Sequence, residues 1–550
     1  STTQASGFTI NIRQGTLNYS RMQLFKANDG WRYVGVLHEY PSNGREPHSV
    51  KLPESFYMES RRLGGRNLVD NKLARDIAIL TQGLEDEPDN ERYIFYLAQS
   101  FYDSGDFLKA IKWYKRRFKI GRWHDEAWFS AYRVGSCYLR IGDIVRFEYW
   151  MLRAHAFSPH RAEPLHELAK HFRVASQFHK AYYYAALGNK IKYPDNDVLF
   201  IESDVYNGAF DYEMSILEYY VHPDQSEMGL RASLNYMMRT MACGHNVIQN
   251  IKFYTKPISA DIVPLNLPEA FGPEFRPSAV SVCDYPFANV RYVNYAINPI
   301  NGSYMRRKDG NIHTQNALIN LDTGECVARM DESTVGIPKR ETSVRGLEDI
   351  RLTRDETGDI VFCATSYREY SDVIGIVRGT YKYDSGDIRV YADCVAVASP
   401  LGQHCEKNWL GIDGTDSVIY GWSPMRVGRV EGAQLVFTHE HKTPPMFAEF
   451  RGSCPPKMLG GSLVAMVHFV DGSGPVRKYY HCFVELDRET YEPRRVSMPF
   501  VFWEASIEYC LSFRVIGAMI ECYVSRMDSD PARIRFPASN IKWVPLSGHE

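Results

Sequence analysis

Tyr96-Leu-Ala-Gln-Ser-Phe-Tyr-Asp-Ser-Gly-Asp106, Arg133-Val-Gly-Ser-Cys-Tyr-Leu-Arg-Ile-Gly-Asp143 and Glu167-Leu-Ala-Lys-His-Phe-Arg-Val-Ala-Ser-Gln177 align without gaps. Small residues fall at Ala98, Gly135 and Ala169, and turn residues at Gly105, Gly142 and Ser176. Both series are spaced by 37 and then 34 residues, and Ala110, Phe147 and Ala181 follow at matching offsets. A small residue marks a close helix crossing, and a turn residue marks the end of a helix. Pro88-Asp-Asn90, Ser158-Pro159 and Pro194-Asp-Asn196 separate the units. There, Pro can open a helix and Asp or Asn can cap it.

A helix-turn-helix unit recurring at about 34 residues is the tetratricopeptide pattern. Residues 71–250 are therefore expected to form a tetratricopeptide-like α-solenoid. Upstream, residues 1–70 hold two strand-like runs, Phe8-Thr-Ile-Asn-Ile-Arg13 and Trp31-Arg-Tyr-Val-Gly-Val-Leu-His-Glu-Tyr40. So short a region reads as the remnant of a larger α/β domain. Downstream, helical periodicity ends. Residues 251–550 alternate short β-branched and aromatic runs, such as Asp359-Ile-Val-Phe-Cys-Ala-Thr-Ser366, with Gly, Asp, Asn and Pro turns. At about 45–60 residues per four-stranded blade, five blades of a β-propeller fit, and a sandwich pair is the alternative. The Pro-rich stretch Pro257 to Pro277 reads as a linker or wrapping arm.

Composition narrows the function classes. The 550 residues carry 64 Lys and Arg against 66 Asp and Glu, a net charge of −2. That balance excludes bulk nucleic-acid binding and a polybasic membrane surface. Aromatic residues reach 13%, which suits repeat cores and surfaces that stack on sugar rings. The 11 cysteines form no CxxC pair and no zinc-ligand spacing, so they read as reduced thiols of a cytoplasmic protein. No apolar run is long enough for a membrane span. Ser1 to Gly7 lacks the apolar core of a signal peptide. The missing initiator Met leads to the expectation of a processed chain or a piece of a longer one.

Five polar clusters recur in the last region: Asn289-Val-Arg-Tyr-Val-Asn-Tyr295, Arg345-Gly-Leu-Glu-Asp-Ile-Arg351, Cys405-Glu-Lys-Asn-Trp409, Phe450-Arg-Gly-Ser453 and Ser506-Ile-Glu-Tyr-Cys510. Their spacing is that of one blade each. If each lies on an innermost strand, all five face one axial pocket. Glycosyl transfer needs a proton donor or acceptor at the glycosidic oxygen, and cations around a phosphate or nucleotide leaving group. Asp349 can supply the first. Arg291, Arg351, Lys407, Arg451 and His481 can supply the second, with Asn294, Asn408 and Trp409 in the same clusters. Glu406 or Glu508 can complete a carboxylate pair of the kind glycoside hydrolysis uses. The structural alternatives are an ion pair of Asp349 with Arg351 or Arg345, a buried Glu406–Lys407 pair, and core packing of His468 and His481.

Two resemblances follow from these residues. Gly346-Leu-Glu-Asp-Ile-Arg351 resembles the Gly-x-Glu-Asp-Pro-Arg signature of the β-mannoside phosphorylases and mannosyltransferases, with Ile350 in place of Pro. That family is built on a five-bladed propeller, and the resemblance implies an acid or base role for Asp349. In the related furanosidase propellers a base lies on the first blade, which Asp284 would fill. Trp31 to Tyr40, Asp76, Pro88 to Asp103, Tyr114-Lys-Arg-Arg117 and Gly121-Arg-Trp-His-Asp-Glu-Ala-Trp128 resemble inverting GT-A glycosyltransferases that carry tetratricopeptide repeats. That resemblance implies a metal-ligand role for His38, with Mn2+ or Mg2+, where an upstream nucleotide-binding half is present. No Asp-x-Asp motif precedes the repeats, and Asp528-Ser-Asp530 reads as a turn.

The expected architecture is thus a multidomain α + β chain: a GT-A remnant, a tetratricopeptide-like solenoid and a five-bladed propeller. The expected function is that of the C-terminal part of a glycosyltransferase with a mannosyltransferase- or phosphorylase-like propeller site. Its partners would be a nucleotide sugar or sugar phosphate, a glycan acceptor, and a protein partner or GT-A domain. A glycoside hydrolase and a non-catalytic glycan- or protein-binding scaffold are the alternatives. A cation-lined pocket favours phosphate-bearing donors. A pocket holding Asp284, Asp349 and a Glu favours hydrolysis.

Overall fold

The computed structural model describes residues 5–14, 17–45, 49–53, 55–61, 71–197, 199–305, 310–384, 387–389, 394–503 and 506–546. The chain forms two compact units, Ser1–Asp224 and Gln225–Glu550. It is a mixed helix-and-sheet protein, helical in the first part and sheet-rich in the second. Among the described residues no helix is long and apolar enough to cross a membrane.

The first unit opens with a small mixed sheet. Gly7–Gln14 pairs antiparallel with Leu17–Phe25 and parallel with Ser49–Lys51 and Tyr57–Glu59. The run Trp31 to Tyr40 is not one strand. Arg32–Val34 folds back onto Tyr40–Ser42, because Gly35 (φ 116°) and His38 (φ 53°) take left-handed backbone that an extended run cannot contain.

Helix α1 (Lys72–Asp86) leads into three antiparallel hairpins: α2 (Glu91–Asp103) with α3 (Phe107–Ile120), α4 (His124–Arg140) with α5 (Ile144–Phe157), and α6 (Glu163–Val174) with α7 (Phe178–Gly188). The aligned small residues lie in their shared core, where Ala98, Ala110, Phe147, Ala169 and Ala181 are fully buried. Gly105, Gly142 and Ser176 all turn through positive φ. Asp106 and Asp143 cap the second helices by accepting from the backbone N–H of Lys109 and Arg146. Buried Arg161 locks the entry to the third hairpin. It pairs with Glu163 and Asp197, donates to the carbonyls of Leu199 and Phe200, and lies 3.7 Å over the Trp128 ring. Helix α8 (Phe210–Val221) completes this unit.

Helices α9 (Ser226–Arg239) and α10 (Gly244–Ile251) were expected with the repeats but belong to the second unit. They pack on the turn Pro445–Glu449 and the strand Ser462–Asp471. Five sheets follow, antiparallel but for two short parallel pairings in the first, of Glu325–Asp331 with Asp387–Arg389 and of Ile312–Asn320 with Val344–Arg345. The first runs through Arg276–Val282, Phe287–Val293, Ile312–Asn320 and Glu325–Asp331. The second holds Leu347–Arg354, Ile360–Tyr367, Ile374–Thr380 and Val395–Val397. The third holds Leu410–Gly411, Ser417–Trp422, Met425–Glu431 and Gln434–His441. The fourth holds Arg451–Leu459, Ser462–Asp471, Lys478–Leu486 and Pro493–Ser497. The fifth holds Glu508–Ile516, Met519–Arg526 and Ser529–Pro537. Its outer strand is Asp261–Pro264, so the Pro-rich stretch is a wrapping arm that starts the ring and ends it.

Each sheet touches the next, and the fifth touches the first. Their first strands converge and bond to one another. The Leu352 N–H donates to Ser281 Oγ at 3.1 Å, and the Val282 N–H to Ser512 Oγ at 3.0 Å. The approach is so close that a Cβ on Gly452 would lie 2.4 Å from the Asn408 carbonyl oxygen. The first polar cluster departs from expectation here: Asn289 to Val293 lies on the second strand of its sheet, with Arg276–Val282 inside it.

Candidate functional site

A cavity of about 350 Å³ opens where the five sheets converge. Every one of the five polar clusters contributes to it: Arg291 and Tyr295, Glu348 and Asp349, Lys407 and Asn408, Arg451, and Ile507 and Tyr509. Tyr304, Tyr367, His468, Arg477, Tyr479 and Asp528 complete the polar lining.

The motif Gly346 to Arg351 shows how local folding builds the site. Gly346 (φ 95°) lets the strand pass so close that a Cβ would sit 2.1 Å from the Thr314 carbonyl oxygen. Pairing with the neighbouring strand then slips between Glu348 and Arg351, where Asp349 takes φ 53°. In a regular strand successive side chains face opposite ways; this bulge turns two consecutive carboxylates into one cavity. Arg351 points beneath them. It is buried, donating to the Ser453 carbonyl at 3.0 Å, the Asp349 carbonyl at 3.1 Å and Asn408 Oδ1 at 3.1 Å, and also to the Tyr509 hydroxyl. It does not line the cavity; it ties three inner strands together below the floor.

Arg291 is the hub of the wall. Its Nη1 donates to Asp349 at 2.9 Å, its Nη2 lies 3.4 Å from Glu348 and 3.3 Å from the Tyr295 hydroxyl, and its Nε donates to Thr314 at 3.0 Å. Lys407 Nζ lies 3.8 Å from Glu348. Burial alone would raise the Asp349 carboxyl, but the cations Arg291, Arg351 and Lys407, with the Tyr509 hydroxyl, hold it below the usual range. Asp349 is therefore an anion. Asp528 is the opposite case: burial raises its carboxyl, and Arg291 and Tyr295 only partly offset that. Burial, assisted by His481, Arg451 and Arg351, keeps His468 uncharged, with Nδ1 2.8 Å from Ser453 Oγ. Among the described residues Arg451 and Arg477 pair with no carboxylate, so the cavity holds cations beyond those its own acids neutralise.

Several expected site residues lie elsewhere. Glu406 is buried inside the third sheet's core, accepting from Ser399 at 2.5 Å, Tyr420 at 3.0 Å and Trp409 Nε1 at 3.2 Å. Trp409 is thus a core residue, and neither it nor Glu406 faces the cavity. Glu508 is buried and accepts from the backbone N–H groups of Phe502 (2.7 Å) and Trp503 (3.0 Å). Asp284 is half exposed and pairs with Arg354. Asn294 clamps the neighbouring strand end through the His313 N–H (2.8 Å) and the Asn311 carbonyl (3.2 Å). His481 is buried against Phe500 and Phe502; it shares a strand face with Tyr479 two residues back but lies farther along the strand, outside the cavity. The alternative pairs expected for Asp349 and Glu406 also do not form: Asp349 takes Arg291.

His38, in the first unit, stacks its ring on Tyr96 at 3.7 Å, and its carbonyl accepts from Arg92 at 2.7 Å. Among the described residues no group of three or more His, Cys, Asp or Glu side chains is placed to hold a metal ion.

Sequence reading missed Glu348, Tyr295, Tyr304, Tyr367, Arg477, Tyr479, Tyr509 and Asp528. Glu348 reaches the cavity beside Asp349 because the bulge suspends strand alternation. Asp528 does lie in a turn, as expected, but that turn borders the cavity.

No family model matches this chain, and no curated protein matches it. Among solved structures, a β-1,2-mannobiose phosphorylase from Listeria innocua is 13% identical with a TM-score of 0.33, over 50% of this chain and 94% of that one. A glycosyl hydrolase from Bacteroides ovatus is 11% identical with a TM-score of 0.33, over 50% and 87%. The crystal structure of MamA is 14% identical with a TM-score of 0.24, over 34% and 94%. At these scores the description of the fold rests on the chain's own strand and helix pairing.

Proposed function

We propose that the second unit is a five-bladed β-propeller whose axial cavity transfers a glycosyl group, mannosyl by the Gly346 to Arg351 resemblance, between a sugar hydroxyl and phosphate or a phosphate-bearing leaving group. The observation that carries this reading is the meeting of all five polar clusters in one cavity with Arg451 and Arg477 left over as anion partners. Guanidinium groups recognise phosphate through paired hydrogen bonds. Five tyrosine rings offer faces and hydroxyls to a sugar. The role of Asp349 narrows to that of an ionised carboxylate, which stabilises positive charge developing on the sugar ring. The carboxylates named for hydrolysis, Asp284, Glu406 and Glu508, are engaged away from the cavity, while Glu348 and Asp528 stand in it beside Asp349. The first unit's hairpins serve as tetratricopeptide-like repeats behind a GT-A remnant, a reading that stands on the sequence resemblance.

The test is turnover. The chain is incubated with β-mannobiose and inorganic phosphate, and separately with mannose 1-phosphate or GDP-mannose and a mannose acceptor. Product is expected in at least one direction, and Asp349→Asn should lower kcat by roughly 10²-fold or more. Full activity in that variant would remove Asp349 from the mechanism. Saturable oligosaccharide binding without turnover would select the glycan-binding scaffold, which the tyrosine lining also fits.

A further inference from the structure

Three sulfurs meet where the inner strands of the fourth and fifth sheets pass each other. Cys454 lies on Arg451–Leu459, Cys510 on Glu508–Ile516 and Cys522 on the next strand, Met519–Arg526. All three are fully buried. Cys454 Sγ lies 3.4 Å from Cys510 Sγ, 3.3 Å from the Cys510 carbonyl oxygen and 3.9 Å from Met466 Sδ. Strand pairing slips at both cysteines. It shifts between Gly452 and Cys454 and again between Cys454 and Lys457 in the fourth sheet, and between Cys510 and Ser512 in the fifth. Bulges re-aim side chains and leave backbone outside the ladder. Here they bring side chains of two different sheets into contact and leave slack for a closer approach. The residues just before the two cysteines serve the axial cavity. The Ser453 carbonyl accepts from Arg351, Ser453 Oγ bonds to His468, and the Tyr509 hydroxyl accepts from Arg351 and lines the cavity.

We infer that Cys454 and Cys510 are a redox pair, which hydrogen peroxide joins as a disulfide that staples the fourth sheet to the fifth beneath the cavity. Their burial selects the oxidant: a small uncharged peroxide reaches them, and a bulky disulfide such as oxidised glutathione does not. Cys510 is the nucleophile. Burial alone would raise its thiol, but hydrogen bonds from the Cys454 and Cys522 thiols favour its anion. The Cys510 thiolate attacks one peroxide oxygen and the O–O bond breaks. The leaving hydroxide takes up the proton that Cys510 lost and departs as water, and Cys510 is left as a sulfenic acid. The Cys454 sulfur then attacks the Cys510 sulfur, the S–O bond breaks, and a second water leaves with the Cys454 proton. Two thiols have lost two electrons and two protons, and one hydrogen peroxide has become two waters. The sulfurs close from 3.4 Å to about 2.05 Å. That movement passes to the adjacent Ser453 and Tyr509, and so to two of the oxygens that hold Arg351.

The experiment treats the reduced full chain with hydrogen peroxide, blocks the remaining thiols with N-ethylmaleimide and maps the peptides by mass spectrometry, with and without dithiothreitol. A Cys454–Cys510 cross-link that dithiothreitol reverses is the expected result. The exposed Cys243 and Cys405 report general oxidation. Their oxidation without the cross-link overturns the inference, and so does a link from Cys510 to Cys522 in its place. This measurement is made on the wild-type chain and depends on no variant. Cys454→Ala should lose the cross-link, and Cys405→Ser should keep it. Hydrogen exchange reads the staple without any activity: the amides of 451–459 and 508–516 should exchange more slowly in the cross-linked chain, and unchanged exchange there rejects a staple. The consequence for turnover rests on the glycosyl-transfer reading. The cross-link should lower kcat roughly 10-fold or more, dithiothreitol should restore it, and Cys454→Ala should show no such reversible loss. A kcat that the cross-link leaves unchanged overturns the coupling to the cavity. If the reduced chain turns over no donor, the glycosyl-transfer reading fails, and the cross-link and exchange results still decide the redox pair.

Discussion

Replacing Glu508 by Gln tests whether burial or hydrogen bonding governs the most enclosed carboxylate on an inner strand. Glu508 is fully buried. Burial pushes its carboxyl from 4.5 up to about 7, against the backbone N–H groups of Phe502 and Trp503, which favour the anion. Because the folded value lies above the unfolded one, the folded chain binds this proton more tightly. The group's stabilising contribution is complete below about pH 4.5 and is lost as pH rises through about 7. At about 1.4 kcal/mol per pH unit, that interval is worth about 3 kcal/mol. Gln has no proton to lose. It turns an amide toward one of the two backbone donors, which costs about 1–3 kcal/mol at every pH. The stability difference between Glu508→Gln and wild type should therefore move by about 3 kcal/mol in favour of Gln between pH 4.5 and 8. Urea unfolding of both proteins across that range measures it, and subtracting the curves cancels every other titrating group. Parallel curves, or a variant that loses ground as pH rises, would show that the two backbone donors outweigh desolvation.

Three further perturbations probe other parts of the structure. Gly452→Ala forces a methyl to within 2.4 Å of the Asn408 carbonyl oxygen and 2.7 Å of Leu410, and should cost about 1–3 kcal/mol in urea unfolding of the second unit; an unchanged midpoint rejects the close approach. Arg161→Met strands the buried Glu163 carboxylate and should destabilise the helical hairpins by about 3–5 kcal/mol, read as an earlier helical melting transition by circular dichroism; coincident transitions reject the lock. Arg451→Ala should raise KM for inorganic phosphate roughly 10-fold or more while leaving KM for mannobiose unchanged; equal effects on both would detach Arg451 from the anion.

The helical hairpins were legible because their constraints are local. A small residue at a crossing and a left-handed turn residue are each needed at one position, and Ala98, Gly105 and their counterparts recur at one spacing. The five sheets were legible for the same reason, through recurring clusters. What the residues did not disclose was which way each side chain points. Glu406 beside Lys407, and Glu508 beside Tyr509, alternate out of the cavity that their neighbours line. His481 lies outside it although its direct cross-strand partner, His468, lines it. The strand Trp31 to Tyr40 failed because a left-handed His38 carries no sequence mark as clear as a glycine. The helices α9 and α10 have helical periodicity like the repeats, but their partners are a turn and a strand far along the chain.

The two arginines nearest the axis show how one backbone irregularity separates chemistry from support. Arg291 and Arg351 are both buried and both reach toward Asp349. Without the bulge, alternation would put Glu348 and Asp349 on opposite faces of the strand, and only one carboxylate would face Arg291. With it, Arg291 meets both carboxylates, while Arg351 reaches only the Asp349 carbonyl and spends its remaining donors on Ser453, Asn408 and Tyr509. A cation bound to backbone oxygens stays put when a substrate arrives; a cation bound to side-chain carboxylates can exchange them for a ligand. Arg351 therefore fixes the floor on which Asp349 stands, and Arg291 links that anion through Tyr295 to Asp528. The charge of −2 over the whole chain conceals this division, because it is made by placement and not by composition.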